Sequence, residues 1–314
     1  MSANAAIALT MGMRNSLYAL SDLEGQIAST NNRLATGKKV NSALDNPLNY
    51  FLAQGFNKDK RDLAGLLDSQ NIALQTVQKV VKTIESITKL IESVQALGRQ
   101  ARQSSDTSVR NTLGAQIGTL LQQVDELSED AGFNGRNLLK ATPDSLTVDF
   151  NTANGLNRTQ LVITGADMRG NGADLNFDDN TAGAGGNIGV VFLAGTLPDP
   201  HNYGFSAATA ATGWAVDATG DANLDRFLTR TQTALNNMAA RASTFSVNLT
   251  VLQVRVDYSK TWQRNLAEAG DALTVADINE EGANLSALQT KQQLAVTALS
   301  LANRSDQSIL RLFN

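Results

Sequence analysis

The chain of 314 residues contains no cysteine, one histidine and only four prolines. Without cysteine it can form no disulfide, no thiolate metal site and no thiol nucleophile. The single histidine, His201, leaves little material for a Ser-His-Asp triad or a multi-histidine metal site, and we interpret it as a loop residue beside Pro200. The sequence therefore predicts no catalytic residue, no metal and no cofactor.

Excess charge of one sign and long apolar runs are also absent. Lys and Arg number 26 against 30 Asp and Glu, so the net charge is −4, which argues against nucleic acid as a partner. No apolar run approaches the roughly 18 residues that a membrane span needs, so we predict no membrane contact. Residues 1–16 have no basic region before their short apolar stretch and do not resemble a cleavable secretory signal.

Proline and glycine divide the chain into three parts. The stretches 48–142 and 201–314 contain no proline and are rich in Gln, Ala, Leu and Ser, which predicts helices. Between them, TVDFN, TQLVITG and NIGVVFLAG alternate with Gly, Asn and Asp clusters, which predicts strands and turns. Residues 141–222 carry two Arg against nine Asp, so we interpret this middle part as a separate, solvent-facing module.

A seven-residue apolar period runs through both helical flanks. In the N-terminal flank it comprises Leu66, Ala73, Val80, Ile87 and Val94, with Val77, Ile84 and Ile91 beside them, and then Leu113, Ile117, Leu120, Val124 and Leu127. In the C-terminal flank it comprises Leu224, Leu228, Leu235, Met238, Ala242, Phe245, Leu249, Leu252 and Val256. Such a sustained period predicts helices that wind side by side, with an ordinary helical bundle as the alternative.

Both ends of the chain carry further apolar columns. The N-terminal column is Met13, Leu20, Ile27 and Leu34; the C-terminal ones are Ile278, Leu285, Leu299 and Phe313, and Leu288, Ala295, Ala302 and Ile309. Apolar residues continue through Leu310 and Leu312 to the penultimate position. Because the sequence between the ends already supplies enough apolar surface to close a bundle, we expect these columns to need another cover.

Two turns punctuate the helices. Asp45-Asn46-Pro47 predicts a helix break, because the residue before proline avoids the helical region. Gly132-Phe133-Asn134-Gly135 predicts the end of a helix near Asp130 and the start of a hairpin that includes Ser145–Phe150.

Two polar patterns are weak candidates for ligand sites. GAGGNIG (183–189) lacks the Lys-Ser/Thr ending of a phosphate-binding loop, so we interpret it as a flexible loop. The aspartates could hold calcium but lack the spacing and the bidentate Glu of a calcium loop, and we interpret them as solvated acidic surface: Asp178, Asp179, Asp217, Asp221 and Asp225.

Three segments resemble bacterial flagellins. LATGKKVNSALDNPLNYFLAQGF (34–56) looks like the passage from the first helix into the first rod domain. GFNGRNLL (132–139) resembles the turn that ends that domain's second helix, and LAVTALSLANRSDQSILRLFN (294–314) is similar to the flagellin C-terminus. The resemblance covers roughly 1–140 and 222–314, and the middle matches no pattern, as is usual among flagellins.

The resemblance implies a mainly α fold in which long, coiled-coil-like helices from both termini form a rod, with a small β-rich outer module inserted in the middle. It implies five segments: an N-terminal inner-core helix (1–40), the N-terminal part of a rod domain (41–140), a variable β-rich outer module (141–221), the C-terminal part of the rod domain (222–274) and a C-terminal inner-core helix (275–314).

The function implied is that of a secreted structural subunit, not an enzyme, that self-assembles into the extracellular filament of the bacterial flagellum and serves swimming motility. Its partners would be other copies of itself, hook–filament junction and cap proteins, the type III export apparatus and a chaperone. The terminal helices would order on assembly. The self-assembly residues would be Met13, Leu20, Ile27, Leu34, Leu285, Leu299, Ile309, Leu310, Leu312 and Phe313.

The resemblance also implies an altered immune-recognition surface. Flagellins sensed by the vertebrate Toll-like receptor carry a helix surface close to LQRVREL, and the matching stretch here is IESVQAL (91–97). Ser93, Gln95 and Ala96 replace its two arginines and its glutamate, and Leu97 is retained. We therefore expect weak or absent activation of that receptor.

Two other functions compete with the filament subunit. A hook–filament junction protein of the same superfamily shares the terminal helices but is present in only a few copies. A secreted enzyme or adhesin would carry its activity in 141–221, which offers one histidine and no metal-ligand cluster. Electron microscopy after seeding separates the first two, because only a filament subunit grows into long filaments.

Overall fold

The computed structural model describes residues 11–151, 157–170, 172, 175, 177 and 214–312. In chain order its elements are α1 (Met11–Thr36), α2 (Pro47–Gln103), α3 (Thr107–Glu129), β1 (Ser145–Asp149), β2 (Gln160–Thr164), α4 (Ala218–Thr274) and α5 (Ile278–Leu312). Along the chain, long helices come before and after a small antiparallel sheet, which confirms the predicted mainly α class with a β-containing middle.

The chain divides into two compact units. The first comprises Met1–Arg61 with Gln263–Asn314, and the second comprises Asp62–Trp262. The five-segment division drawn from the sequence stays a prediction.

The second unit is built on the seven-residue period. On α2 the buried column is Ala73, Val77, Val80, Ile84, Ile87, Ile91 and Val94, and it shares one core with Leu113, Ile117, Leu121 and Val124 of α3 and with Leu224, Phe227, Ala234, Met238, Phe245 and Leu252 of α4. Burying an aliphatic or aromatic side chain of this size contributes about 1.5–3 kcal/mol, so this core is the main source of stability in the unit.

The buried face of α3 departs from the predicted frame. Leu121 is fully buried, whereas Leu120 and Leu127, which the period singled out, are only partly buried against the core. The buried positions Leu113 and Val124 are eleven residues apart, a spacing of about 3.7 residues per turn that fits a nearly straight helix better than a strict heptad.

The start of α4 departs from its predicted frame in the same way. Phe227 and Ala234 are fully buried, whereas Leu228 and Leu235 are partly buried. Gly98 of α2 lies against both side chains, because a Cβ at that position would lie 2.9 Å from Cε1 of Phe227 and 3.1 Å from Cδ2 of Leu228. The absence of a side chain at Gly98 therefore allows α4 to pack closely against α2 at this point.

The middle segment was predicted to be a separate, solvent-facing module. The apolar side chains in its described part instead belong to the same core as those of α2, α3 and α4. β1 and β2 pair antiparallel from Ser145↔Thr164 to Asp149↔Gln160. Their inward residues are joined in the core by Phe177 and Trp214, whose rings lie 6.1 and 5.5 Å from the ring of Phe227. NIGVVFLAG, GAGGNIG, Asp178, Asp179 and His201 lie outside the described residues.

The turn after α3 closes differently from the predicted hairpin. α3 ends at Glu129 with Asp130 as its C-cap, as expected, and Phe133 and Arg136 form an isolated bridge around Asn134 and Gly135, both with positive φ. Ser145–Asp149 does form one strand of an antiparallel pair, but its partner is β2, so the prediction that the turn at 132–135 starts this hairpin is wrong.

Between α3 and β1, the side chain of Asn137 holds the chain against the end of α3. Asn137 Nδ2 donates to the carbonyl oxygens of Ser128 (2.9 Å) and Glu129 (2.8 Å). These bonds return the chain to the end of α3 and satisfy helix carbonyls that would otherwise lack a partner.

Candidate functional site

The first unit pairs the two terminal helices. α1 and α5 pack together, and Nη1 of Arg33 near the end of α1 lies 3.1 Å from Oε1 of Glu281 near the start of α5. A polar groove between them is lined by Gln26, Ser29, Thr30, Asn284, Leu288 and Lys291, among others. Since the end of one helix meets the start of the other, the pair is antiparallel.

Backbone hydrogen bonds join the segments that connect these helices. Gly37 ends α1 with φ of +67°, a conformation that favours glycine. Its carbonyl accepts from the Ala276 N–H at 3.0 Å, and the Lys39 N–H donates to the Thr274 carbonyl at 2.8 Å. This short pairing fixes where α1 and α5 start to run side by side.

The predicted break before α2 is present and is held by one carboxylate. Oδ2 of Asp45 accepts from the backbone N–H groups of Asn41 (3.0 Å) and Ser42 (2.9 Å). The Ser42 and Asn41 N–H groups hold the pKa of Asp45 below its usual value. Asn46 then caps α2 by accepting from the Asn49 N–H, with Pro47 at the first helical position.

The terminal helices differ from the second unit in how far their apolar side chains are buried. Among the side chains that the structure describes in α1 and α5, only Thr30 and Glu281 are buried, and both are polar. Every described apolar side chain of the two helices is at least partly exposed. The pair therefore makes contact without forming an apolar core of its own.

The structure describes the side chains of five of the ten predicted self-assembly residues. Leu20, Ile27, Leu34, Leu285 and Leu299 are half-buried. Met13, Ile309, Leu310 and Leu312 belong to helices, but their side chains lie outside the described part, as does all of Phe313.

The sequence reasoning missed a second apolar face on the same helices. Leu294 and Leu301 of α5 are 65% and 69% exposed and lie seven residues apart, with the exposed Ala298 between them. Met11 and Tyr18 of α1 are also exposed and seven apart. These exposed residues repeat every seven positions, like the half-buried columns, but in a different frame. The prediction followed only the half-buried columns.

Exposed apolar residues also mark the entry to α2. Leu44, Leu48 and Phe51 are spaced by four and three residues, and all three are exposed. Leu48 and Phe51, three residues apart within α2, lie on one side of the helix, whereas Leu44 lies in the turn that precedes it.

The stretch that resembles the receptor surface is partly accessible, since its Ile91 and Val94 are buried in the core. Ser93 and Ala96 are exposed, and Leu97 packs partly against the core. Gln95 is half-buried, and its Nε2 donates to Oε1 of Gln232 at 3.1 Å. The position of the second arginine in the compared motif is thus occupied by a side chain that bonds within the unit.

The aspartates considered for calcium face arginines. Asp221 lies 3.1 Å from Nη1 of Arg102 and 2.8 Å from Nη2 of the buried Arg110, while Asp225 lies 3.0 Å from Nε of Arg102. Oδ1 of Asp217 accepts from the Gly220 N–H. Within the described ranges no group of acidic or histidine side chains has an arrangement that could hold a metal ion.

The length and hydropathy of the helices bear on whether one of them could span a membrane. In the part of the chain that the structure describes, none is both long and apolar enough to cross a bilayer.

Two family models match the helical flanks. Residues 9–144 match the bacterial flagellin N-terminal helical region, and residues 228–313 match the bacterial flagellin C-terminal helical region. The chain is 29% identical to flagellin FljK of Caulobacter vibrioides over 310 residues, 24% identical to a flagellin of Brucella melitensis biotype 1 over 297 residues, and 24% identical to flagellin C of Rhizobium meliloti over 322 residues. Each of these alignments covers 95% of both chains.

Proposed function

The chain belongs to the bacterial flagellin family and is a structural subunit of the flagellar filament; we propose that α1 and α5 supply the contacts by which its copies assemble. The single observation that carries this proposal is the absence of a buried apolar side chain among those described in the two terminal helices. An apolar helix face in a soluble protein gains free energy when another surface removes it from water.

The physical argument compares the two units. A helix outside a core has little to hold it, because most helical stability in proteins comes from packing of an apolar face. α2 has that packing in the second unit, whereas Leu20, Ile27 and Leu299 of the terminal helices are only half-covered. We infer that α1 and α5 reach their full order only when neighbouring copies cover Leu294, Leu301 and the half-buried columns.

The same function suggests further partners. We expect contact with hook–filament junction and cap proteins at the two ends of the filament, and passage through the type III export apparatus with the help of a chaperone. Export as an unfolded chain suits a sequence with no cysteine and four prolines, because disulfide formation and X-Pro isomerisation are slow. We assign no catalytic role to the chain.

A charge placed on the second face of α5 tests the proposal. Leu294→Asp removes an apolar side chain that is 65% exposed in the single chain, so the monomer should keep its helicity and melting temperature. In the filament the same aspartate would be desolvated, so we expect seeded polymerisation to fail, as measured by sedimentation and electron microscopy.

Gln293→Asp is the matched control, since it introduces the same charge at the adjacent exposed position. Both variants lose a similar amount of helix propensity, so a propensity effect would appear in both. Normal filaments from Leu294→Asp would contradict the proposed role of this face.

A further inference from the structure

One end of the core in the second unit is closed by a short segment that leads into α4. We name residues 214–217 the strap. Trp214 is fully buried and its ring lies 5.5 Å from the ring of Phe227, whereas Val216 is 43% exposed and Asp217 is also exposed. Trp214 is therefore the side chain that joins the strap to the core.

A buried arginine of α3 holds the strap in place. The side chain of Arg110 is only 3% exposed. Its Nε donates to the Ser104 carbonyl and its Nη1 donates to the Ala215 carbonyl, each at 2.9 Å. Its Nη2 lies 2.8 Å from Oδ1 of Asp221, in the first turn of α4. Arg110 thus connects the turn before α3, the strap and the start of α4.

Asp221 is held from two sides. Its Oδ2 lies 3.1 Å from Nη1 of Arg102, near the end of α2. The side chain of Arg102 is 37% exposed, so water screens this second pair more than the pair with the buried Arg110. Within the described part of the chain, Asp221 is the carboxylate that faces the buried guanidinium.

A glycine allows the strap to lie close to α4. A Cβ at Gly220 would lie 1.9 Å from the carbonyl oxygen of Ala215, the same oxygen that accepts from Arg110. The Gly220 N–H donates to Oδ1 of Asp217 at 2.7 Å, and the Asp221 N–H donates to the Asp217 carbonyl at 2.9 Å. The strap therefore packs directly on the first turn of α4, where a side chain at position 220 would not fit.

The charge of Arg110 makes this closure depend on Asp221. A guanidinium stays protonated in proteins, and a buried charge that loses its partner regains favourable surroundings only by reaching water. Because the strap contributes only Trp214 to the core, opening it costs less than separating the helices. Opening of the strap is thus the easiest way for water to reach an unpaired Arg110.

We propose that Arg110 and Asp221 form a latch that keeps the strap closed over Phe227. The inference concerns the single chain and does not rest on the contacts proposed between copies. With the latch broken, Trp214 and Phe227 would become exposed while the rest of the core stays folded. An exposed aromatic surface of this kind favours non-specific association, which the closed latch prevents.

Amide hydrogen exchange tests the latch at the strap itself. In Asp221→Asn, Arg110 loses its anionic partner. The amides of Val216 and Gly220, which are hydrogen-bonded in the closed strap, should then exchange about tenfold faster or more. The amides of residues 73–94 in α2 should exchange as they do in the natural chain, because the core there is intact.

Asp225→Asn is the matched control. It removes the same charge one turn further along α4, from a carboxylate that is 61% exposed and lies 3.0 Å from Nε of Arg102. Arg110 keeps its partner in this variant, so the strap amides should exchange as in the natural chain.

Tryptophan fluorescence gives an independent reading of the strap. The chain has two tryptophans, and Trp262 is 48% exposed, so Trp262→Phe leaves the buried Trp214 as the only one. In this background, quenching by iodide should be weak, and Asp221→Asn should increase it severalfold.

A double-mutant cycle separates the latch from an effect of Asp221 on the helix dipole. A carboxylate in the first turn of a helix is favourable by itself. The latch predicts that Asp221→Asn changes exchange much less in an Arg110→Gln background than in the natural chain, because the buried charge is already gone.

Three outcomes would overturn the latch. One is an equal effect of Asp221→Asn in both backgrounds, and another is unchanged exchange and quenching in Asp221→Asn. The third is loss of the entire core in Asp221→Asn, because the closure would then not be local.

Discussion

Leu252 gives the sharpest test of the core assignment. It is fully buried on α4, whereas the next residue, Gln253, is exposed on the same helix. Leu252→Asp forgoes the burial of a leucine, about 1.5–3 kcal/mol. It also places a carboxylate among apolar side chains of the core, which costs several kcal/mol more whether the group stays charged or becomes protonated.

This loss is comparable with the entire stability of an ordinary domain, about 5–15 kcal/mol. We therefore expect the Leu252→Asp monomer to lose its cooperative melting transition and most of its helical circular dichroism, and to form no filaments. Leu252→Ala should be intermediate, with a loss of about 2–5 kcal/mol in denaturant melts. Gln253→Asp is the control, and a Leu252→Asp monomer that melts like it would refute the assignment of this face to the core.

Three further outcomes follow from the same structure. Removing residues 296–314 should leave the melting transition of the second unit almost unchanged and abolish polymerisation, as seen by calorimetry and sedimentation. The carboxyl of Asp45 should titrate with a pKa below the usual value of about 3.9. Its stabilisation of the 41–47 turn should be present above that pH and be lost as the pH falls through the folded pKa. The Ser42 amide NMR signal should report this pH dependence in the natural chain and lose it in Asp45→Asn. In reporter cells, the serine and glutamine at 93 and 95 should give weak or no activation of the Toll-like receptor, and a response equal to that of an enteric flagellin would contradict this.

The strongest periodic signal allowed the most accurate sequence prediction. On α2, residues from Ala73 to Val94 alternate spacings of four and three and are buried in both predicted columns, whereas Leu66, the first predicted member, is only partly buried. Aliphatic residues repeated in this way form a single apolar face on α2. The sequence pattern and the packing in the structure therefore indicate the same buried face. The break at Asp45-Asn46-Pro47 was predictable for a similar reason, because its chemistry is local.

Features that depend on a distant partner could not be predicted. Phe227 and Leu228 pack against Gly98, which is more than a hundred residues away in the chain. The partner of β1 is β2, which lies further along the chain and not before it. The exposed apolar residues of α4, Val254 and Tyr258 among them, were not predicted because a helix that is apolar on two faces shows no single preferred side in its sequence pattern.

Hydrogen exchange, measured by mass spectrometry on the verified monomer and on the filament, tests the central claim most directly. The monomer should show α1 and α5 largely unprotected, while residues 73–101 and 224–252, which hold the core of the second unit, are protected. In the filament, both terminal helices should gain strong protection. Strong protection of residues 300–312 in the monomer, or no gain on polymerisation, would contradict the claim that neighbouring copies complete the packing of these helices.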